Sequence, residues 1–392
     1  MAVLDTNVIY LHSGMTGAPS MTGATNGYAA IAVLDACLVN GFNSQTITTL
    51  AVASNIATLT KTAHGYEAGA VINISGASPA GFNGNWRIAT VTANTLTYEM
   101  SGVADQTATG TITAKYAGAN WEKSHSGTGL AAYKGLGAGY TGFKLRVDDT
   151  GTTSARVVGY ESMTDINTNL VGPYPTTAQI SGGGFLSKSG TNDSTARTWI
   201  FAGDGRSFYL NVAYNTTAGY FHTIFYGDFI SLKAADGYAS SICCANASAV
   251  SGTSPTSDFG YATITTAIAG NYNVRGVTGF GSSNAVYKVA PVPVGATNGM
   301  YSGLTAANSM TYPNSADGGL YLVPFNNCEL LNSSYVLRGT YPGAYYCSNL
   351  VTNVFSPRDA ITGVTGLSGR TLRAIPTASG GFFFIDVTGP WR

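Results

Sequence analysis

From Gln45 onward the chain alternates apolar and polar residues with a period of two. Leu96, Tyr98 and Met100 interleave with Thr95, Thr97 and Glu99. Phe143, Leu145 and Val147 interleave with Lys144, Arg146 and Asp148, and Phe208, Leu210 and Val212 with Tyr209 and Asn211. Successive strand side chains point to opposite faces, so each stretch is expected to be a half-buried strand. "TWIFAGDGRSFYLNV" reads as a hairpin turning at Gly203-Asp204-Gly205, residues that tolerate positive φ. "FHTIFYGDFISL" continues it, with a bend near Gly227-Asp228. From Val274 on, "AVYKVAPVPV", "GLYLVPF" and "GFFFIDV" are short strands punctuated by Gly, Pro and Asn. This spacing predicts an all-β chain of sandwiches or barrels.

One helix interrupts the pattern, over about Tyr28 to Asn40. Ile31, Leu34 and Leu38 share a face there. Asn26 is placed to cap its start and Gly41 to end it. Two segments read as loops: residues 103–120, and residues 245–260, which are expected to mark a boundary.

Composition sets the kind of surface. Hydrophobic residues make up 44% of the 392, with 24 Tyr, 16 Phe and 4 Trp, so the chain folds. Only 10% are charged, against about 25% in an ordinary soluble domain. Nineteen cations balance nineteen anions. A free subunit of zero net charge tends to associate, which predicts an assembled protein. Without a basic excess, nucleic acid is not expected as a partner. Ala29 to Val39 is too short, and too interrupted by Asp35, to insert in a membrane. The opening "MAVLDTNVIYLHSG" lacks the cationic and apolar regions of a signal peptide, so synthesis in a cytoplasm is expected. Five irregularly spaced cysteines are expected to be small buried thiols, not bridges or zinc ligands.

Chemical motifs are sparse. Gly137-x-Gly139-x-x-Gly142 matches a dinucleotide fingerprint in letters, but "FKLRVDD" follows it, a strand where a helix is required. There is no G-x-S-x-G elbow, and no two of His12, His64, His125 and His222 have metal-ligand spacing. A triad or carboxylate pair assembled in space stays open, but nothing points to one. Asp148-Asp149 is expected to cap backbone amides. Tyr341, Tyr345 and Tyr346, in "GTYPGAYYCSN", read either as a contact loop or as aromatics packed beneath one. No catalytic residue, cofactor or metal is expected.

One region carries a denser pattern. Ala63-His64-Gly65-Tyr66 is followed by Gly69, a strand from Val71 to Ile74, and Ser75-Gly76-Ala77. Then come the turn Phe82-Asn83-Gly84, a strand from Trp86 to Val91, and Asn94-Thr95-Leu96-Thr97-Tyr98. This pattern resembles the small β-barrel first described as the first-catalytic-cysteine half-domain of ubiquitin-activating enzymes. Similar barrels occur as insertions in tail proteins of tailed bacteriophages. The segment holds no cysteine, so the resemblance implies no ubiquitin-type chemistry. His64, Gly65, Gly69, Gly76, Phe82, Asn83 and Gly84 are its turn residues, and His64 is expected to brace a turn by a hydrogen bond. The C-terminal "LSGRTLRAIPTASGGFFFIDVTGPWR" also resembles the ending of tailed-phage virion proteins.

The resemblance implies an organisation and a role. Residues 1–43 and 117–250 would form a β-sandwich domain with one helix, interrupted by a barrel over 44–116. Residues 251–392 would form a C-terminal β-rich domain. The chain would be a non-enzymatic virion structural protein, tail-associated, assembled in the host cytoplasm. Its partners would be copies of itself and other virion proteins, with the barrel facing outward. Alternatives are a receptor-binding protein holding a host surface glycan through Tyr341 to Tyr346, or a head decoration protein.

Overall fold

A computed structural model describes residues 5–24, 27–216, 221–246, 259–262, 267–289, 300–303, 310–331, 334–377 and 380–392. It is all-β apart from one short helix. A central sheet runs in the order Ile9–His12, Trp199–Gly203, Ser207–Ala213, Phe221–Asp228, Ser240–Cys243, Asn271–Asn273, Asn284–Ala285. The expected hairpin lies within it, with Gly203 opposite Phe208. Asp204 Oδ1 shapes the turn by accepting the Arg206 and Ser207 amides, each at 2.8 Å.

These strands are not half-buried, as alternation predicts. Every residue of Ser207–Ala213 and Phe221–Asp228 is buried. Phe208, Leu210, Val212 and Tyr226 enter one core, where Trp121 meets Phe208 edge-on at 5.4 Å. Tyr209, Phe225 and Cys243 enter a second core with Phe259, Tyr341 and Phe383. A further layer therefore covers the face expected to meet water. Its polar positions are satisfied across that interface. Tyr209 Oη donates to the Pro342 carbonyl at 2.9 Å, and Asn211 Nδ2 to the Pro376 carbonyl at 3.2 Å.

The first core is closed by an outer sheet of Trp121–Gly127, Leu130–Gly135, Lys144–Asp148, Ser154–Ser162 and Val171–Tyr174, with Gly184–Ser187 paired to Ser154–Ser162. The Gly137–Gly142 run is a turn before Lys144–Asp148. The second core is closed by a sheet in the order Tyr287–Val289, Leu322–Leu331, Ser334–Cys347, Phe382–Asp386, Leu372–Pro376, Ala360–Ile361. Residues 247–258, most of the expected boundary, lie outside the described residues.

The helix spans Ala29–Leu34 and widens into a π turn over Asp35–Asn40, where the Gly41 amide bonds the Ala36 carbonyl at 2.9 Å. Gly41, at φ 66, ends it as expected. Asn26 lies outside the described residues. Asp149 caps this helix from across the fold, its Oδ2 accepting the Ile31 amide at 3.1 Å.

Residues 42–116 form two small sheets around one core. One runs Phe42–Thr46, Thr113–Tyr116, Val71–Ser75, Gly84–Arg87. The other runs Thr90–Val91, Thr95–Glu99, Ile56–Thr60, Thr49–Ala53, Gln106–Thr107. Leu50, Leu59, Ile72, Ile74, Phe82, Leu96 and Tyr98 fill the space between them. The strands by which the chain enters and leaves pair with each other. The 103–120 segment, expected as loop, supplies two of these strands. The strand expected from Trp86 to Val91 instead breaks after Arg87 and changes sheet. Buried Arg87 donates to the carbonyls of Asp5, Val8 and Gly69, pinning the break to the N-terminal segment.

Candidate functional site

His64 is 1% exposed, at the turn before Val71–Ser75. Its Nδ1 accepts the Tyr66 amide at 3.0 Å, and its Nε2 lies 3.2 Å from the Thr95 carbonyl. An amide must meet a lone pair and a carbonyl must meet a proton, so the ring carries its hydrogen on Nε2. The His64 carbonyl accepts from Asn43 Nδ2 at 3.0 Å and Gln45 Nε2 at 2.6 Å. Tyr66 stacks on the imidazole at 5.5 Å. Both ring nitrogens are thus engaged by backbone, and the residue braces a turn.

The neighbouring motif residues act in the same way. Gly65 has φ 68, and a Cβ there would stand 2.5 Å from Thr16 Oγ1, in the N-terminal loop. Gly69 and Gly76 also have positive φ in turns, and Gly84 has it at the start of its strand. Asn83 mimics a strand: its Oδ1 accepts the Ala77 amide at 2.9 Å and its Nδ2 donates to the Ala77 carbonyl at 2.8 Å. Phe82 is fully buried, and its carbonyl accepts from Trp86 Nε1 at 3.1 Å.

The tyrosines expected as a contact loop lie in the long strand Ser334–Cys347. Tyr341 and Tyr346 are each 1% exposed and belong to the second core; Tyr345 is half-buried. Pro342 and Gly343 mislead because they sit in a bulge. Pro324 faces Tyr345 and Asn326 faces Thr340, so four residues of one strand oppose Phe325 alone. The bulge turns both Tyr341 and Tyr346 inward. Tyr341 Oη accepts from Asn327 Nδ2 at 3.2 Å, and its ring meets Phe225 edge-on at 4.9 Å. Burial pushes its hydroxyl pKa well above the ordinary tyrosine value.

A cluster that sequence reading missed joins three distant segments. His12 Nε2 lies 3.0 Å from Glu67 Oε2, and its Nδ1 accepts from the Gly14 amide at 3.1 Å and from Arg358 at 2.8 Å. The hydrogen bond from His12 holds the Glu67 carboxyl below its usual pKa. Arg373 donates to the Arg358 carbonyl at 3.0 Å and lies over the Tyr10 ring at 5.1 Å. Desolvation pushes the Tyr10 hydroxyl up to about 12. The cluster ties the central sheet to the barrel and to the C-terminal segment. Residue separations of 55 and 346 left no sequence signal for it.

Among the described residues the other histidines form no triad. His125 Nδ1 contacts Ser124 Oγ, its neighbour in the chain, at 3.0 Å. His222 is buried with neither ring nitrogen hydrogen-bonded. All five cysteines are buried and unbridged, as expected. Among the described residues, no group of three or more His, Cys, Asp or Glu is placed to hold a metal ion.

No family model matches the chain, and no curated protein matches it. Among solved structures it is similar to the phage phi92 endosialidase at 12% identity, covering 82% of this chain and 73% of that one. The TM-score is 0.17, too low to define a shared fold.

Proposed function

We propose that this chain is a structural protein of a tailed-phage particle, associated with the tail, and that it acts by assembly without catalysis. The observation that carries this reading is an apolar face left open to water on the C-terminal sheet. Leu330 and Tyr335 are paired across two strands, and Leu337 follows on the same face opposite Cys328, which is itself buried. Tyr287 continues that row opposite Cys328 and packs edge-on against Tyr335 at 5.2 Å. Leu330, Tyr335 and Leu337 are 44%, 51% and 46% exposed. A contiguous patch of this kind marks an interaction surface. On a chain of zero net charge, a second copy meets it without repulsion.

The barrel supports the same reading. Its motif residues hold turns and present no reactive group, as in a module that serves as a part. The resemblance of that motif to barrels inserted in phage tail proteins supplies the particle and the tail.

The test is location and state. Antibodies to the chain should label tails on intact particles, and the purified protein should sediment as a defined oligomer. Labelling confined to heads would replace the tail assignment with decoration. Depolymerisation of a host polysaccharide by the purified protein, abolished by one carboxylate substitution, would overturn the non-catalytic reading.

A further inference from the structure

A cleft of about 540 Å³ lies where the barrel meets the central and outer sheets. Asn7, Asn40, Asn73, Asn85 and Asn120 line it with one cation, Lys115. None of the lining residues is acidic. Three of them form a row across the barrel: Lys115 stands opposite Asn73, and Asn73 opposite Asn85. Asn73 Nδ2 donates to Asn85 Oδ1 at 2.8 Å, which leaves Asn73 Oδ1 as an acceptor and Asn85 Nδ2 as a donor. Lys115 donates to the Asn40 carbonyl at 2.6 Å and keeps two further hydrogens. The side-chain amides of Asn40 and Asn120 bond no other described residue. Asn120 holds its place on a left-handed backbone, at φ 61.

The lining selects a ligand class. A metal ion needs oxygen ligands with negative charge, and no carboxylate is present. Lys115 is the one cation at the cleft, and no arginine fork is present to clamp a phosphate. An acyl chain needs apolar walls, and Trp121, the one aromatic residue at the cleft, is 3% exposed. What remains are amides that together alternate donors with acceptors, as Asn85 Nδ2 and Asn73 Oδ1 do, in a cleft of ligand size. Vicinal hydroxyl groups present the same alternation.

We propose that this cleft binds a neutral oligosaccharide. The proposal does not rest on the particle reading, and it differs from the tyrosine loop expected from sequence, which is buried.

The experiment titrates the full chain with neutral trisaccharides built from glucose, galactose, mannose and N-acetylglucosamine, read by saturation-transfer NMR. At least one should bind at millimolar concentration. Asn40→Ala and Asn120→Gly should each weaken it about tenfold, the loss of a hydrogen bond or two. Glycine suits the left-handed position, so Asn120→Gly should leave the unfolding temperature unchanged. Asn85→Trp should block binding by filling the cleft from an exposed position. The proposal is overturned if no neutral trisaccharide binds, or if binding survives both amide substitutions at full strength. Preference for a sulfated trisaccharide, lost in Lys115→Ala, would also overturn it in favour of an anion site.

Discussion

Asp149 Oδ1 lies 2.6 Å from Lys188 Nζ, and neither side chain is exposed to water. The second carboxylate oxygen caps the helix at Ile31, and Lys188 also donates to the Gly151 carbonyl at 2.6 Å. Burial pushes the Asp149 carboxyl pKa up, and the ammonium opposes that shift. Desolvation thus offsets much of the attraction, and the pair adds little net stability. Breaking it is another matter, because the partner is left charged and buried. Asp149→Ala should cost about 3–5 kcal/mol. Lys188→Met alone should cost less, since the carboxyl keeps the Ile31 amide and can take up a proton. The double variant should be more stable than Asp149→Ala alone. Urea unfolding of the four proteins checks this, and strictly additive losses would refute the coupling.

His222 gives a pH dependence of known sign. Burial lowers its pKa from 6.5 to about 4, and its nitrogens have no hydrogen-bond partner. Between those values the unfolded chain binds the proton and the folded chain does not. The contribution is therefore complete above pH 6.5 and is lost as pH falls towards 4. It amounts to about 3 kcal/mol. Carboxylates titrate nearby in pH, so the measured quantity is the difference between wild type and His222→Leu. That difference should change across this window and stay flat above it.

The local features were legible because local chemistry decides them. Alternation located Lys144–Asp148, flanking turn residues located Phe382–Asp386, and the Gly203-Asp204-Gly205 turn located its hairpin. Gly41 closed the helix where its position predicted. What faces a strand is decided elsewhere. Tyr209 and Asn211 look like solvent positions, yet another layer of the same chain supplies the Pro342 and Pro376 carbonyls they bond. Tyr341 and Tyr346 follow from a bulge opposite Phe325, and pairing is invisible in one strand's own sequence. The amide-lined cleft is of the same kind: Asn40, Asn73 and Asn120 converge only when the barrel folds back on the sheets.

His64 should be structural by measurement as well as by geometry. His64→Ala leaves the Tyr66 amide unpaired in a buried turn and opens a small cavity. It should cost about 2 kcal/mol. His64→Asn places an amide oxygen near the position of Nδ1 and should recover part of that loss. Both variants should assemble as wild type does once folded. Loss of an activity with the unfolding midpoint unchanged would mean that the imidazole does chemistry.

The open apolar face predicts where assembly fails. Leu330, Tyr335 and Leu337 are exposed, so their substitution removes little from the folded subunit. Tyr335→Glu with Leu337→Glu places two like charges on one face of the patch, so neither can neutralise the other when an interface buries them. The oligomer should dissociate while the unfolding midpoint moves by no more than about 0.5–1 kcal/mol. Sedimentation velocity over a range of protein concentrations reads the association, and thermal unfolding reads the subunit. A matched pair of substitutions at Val171 and Val354, exposed apolar residues outside this row, serves as the control. Equal dissociation in both pairs would show that surface charge in general is responsible. Dissociation in the first pair alone assigns the contact to the Leu330–Leu337 hairpin.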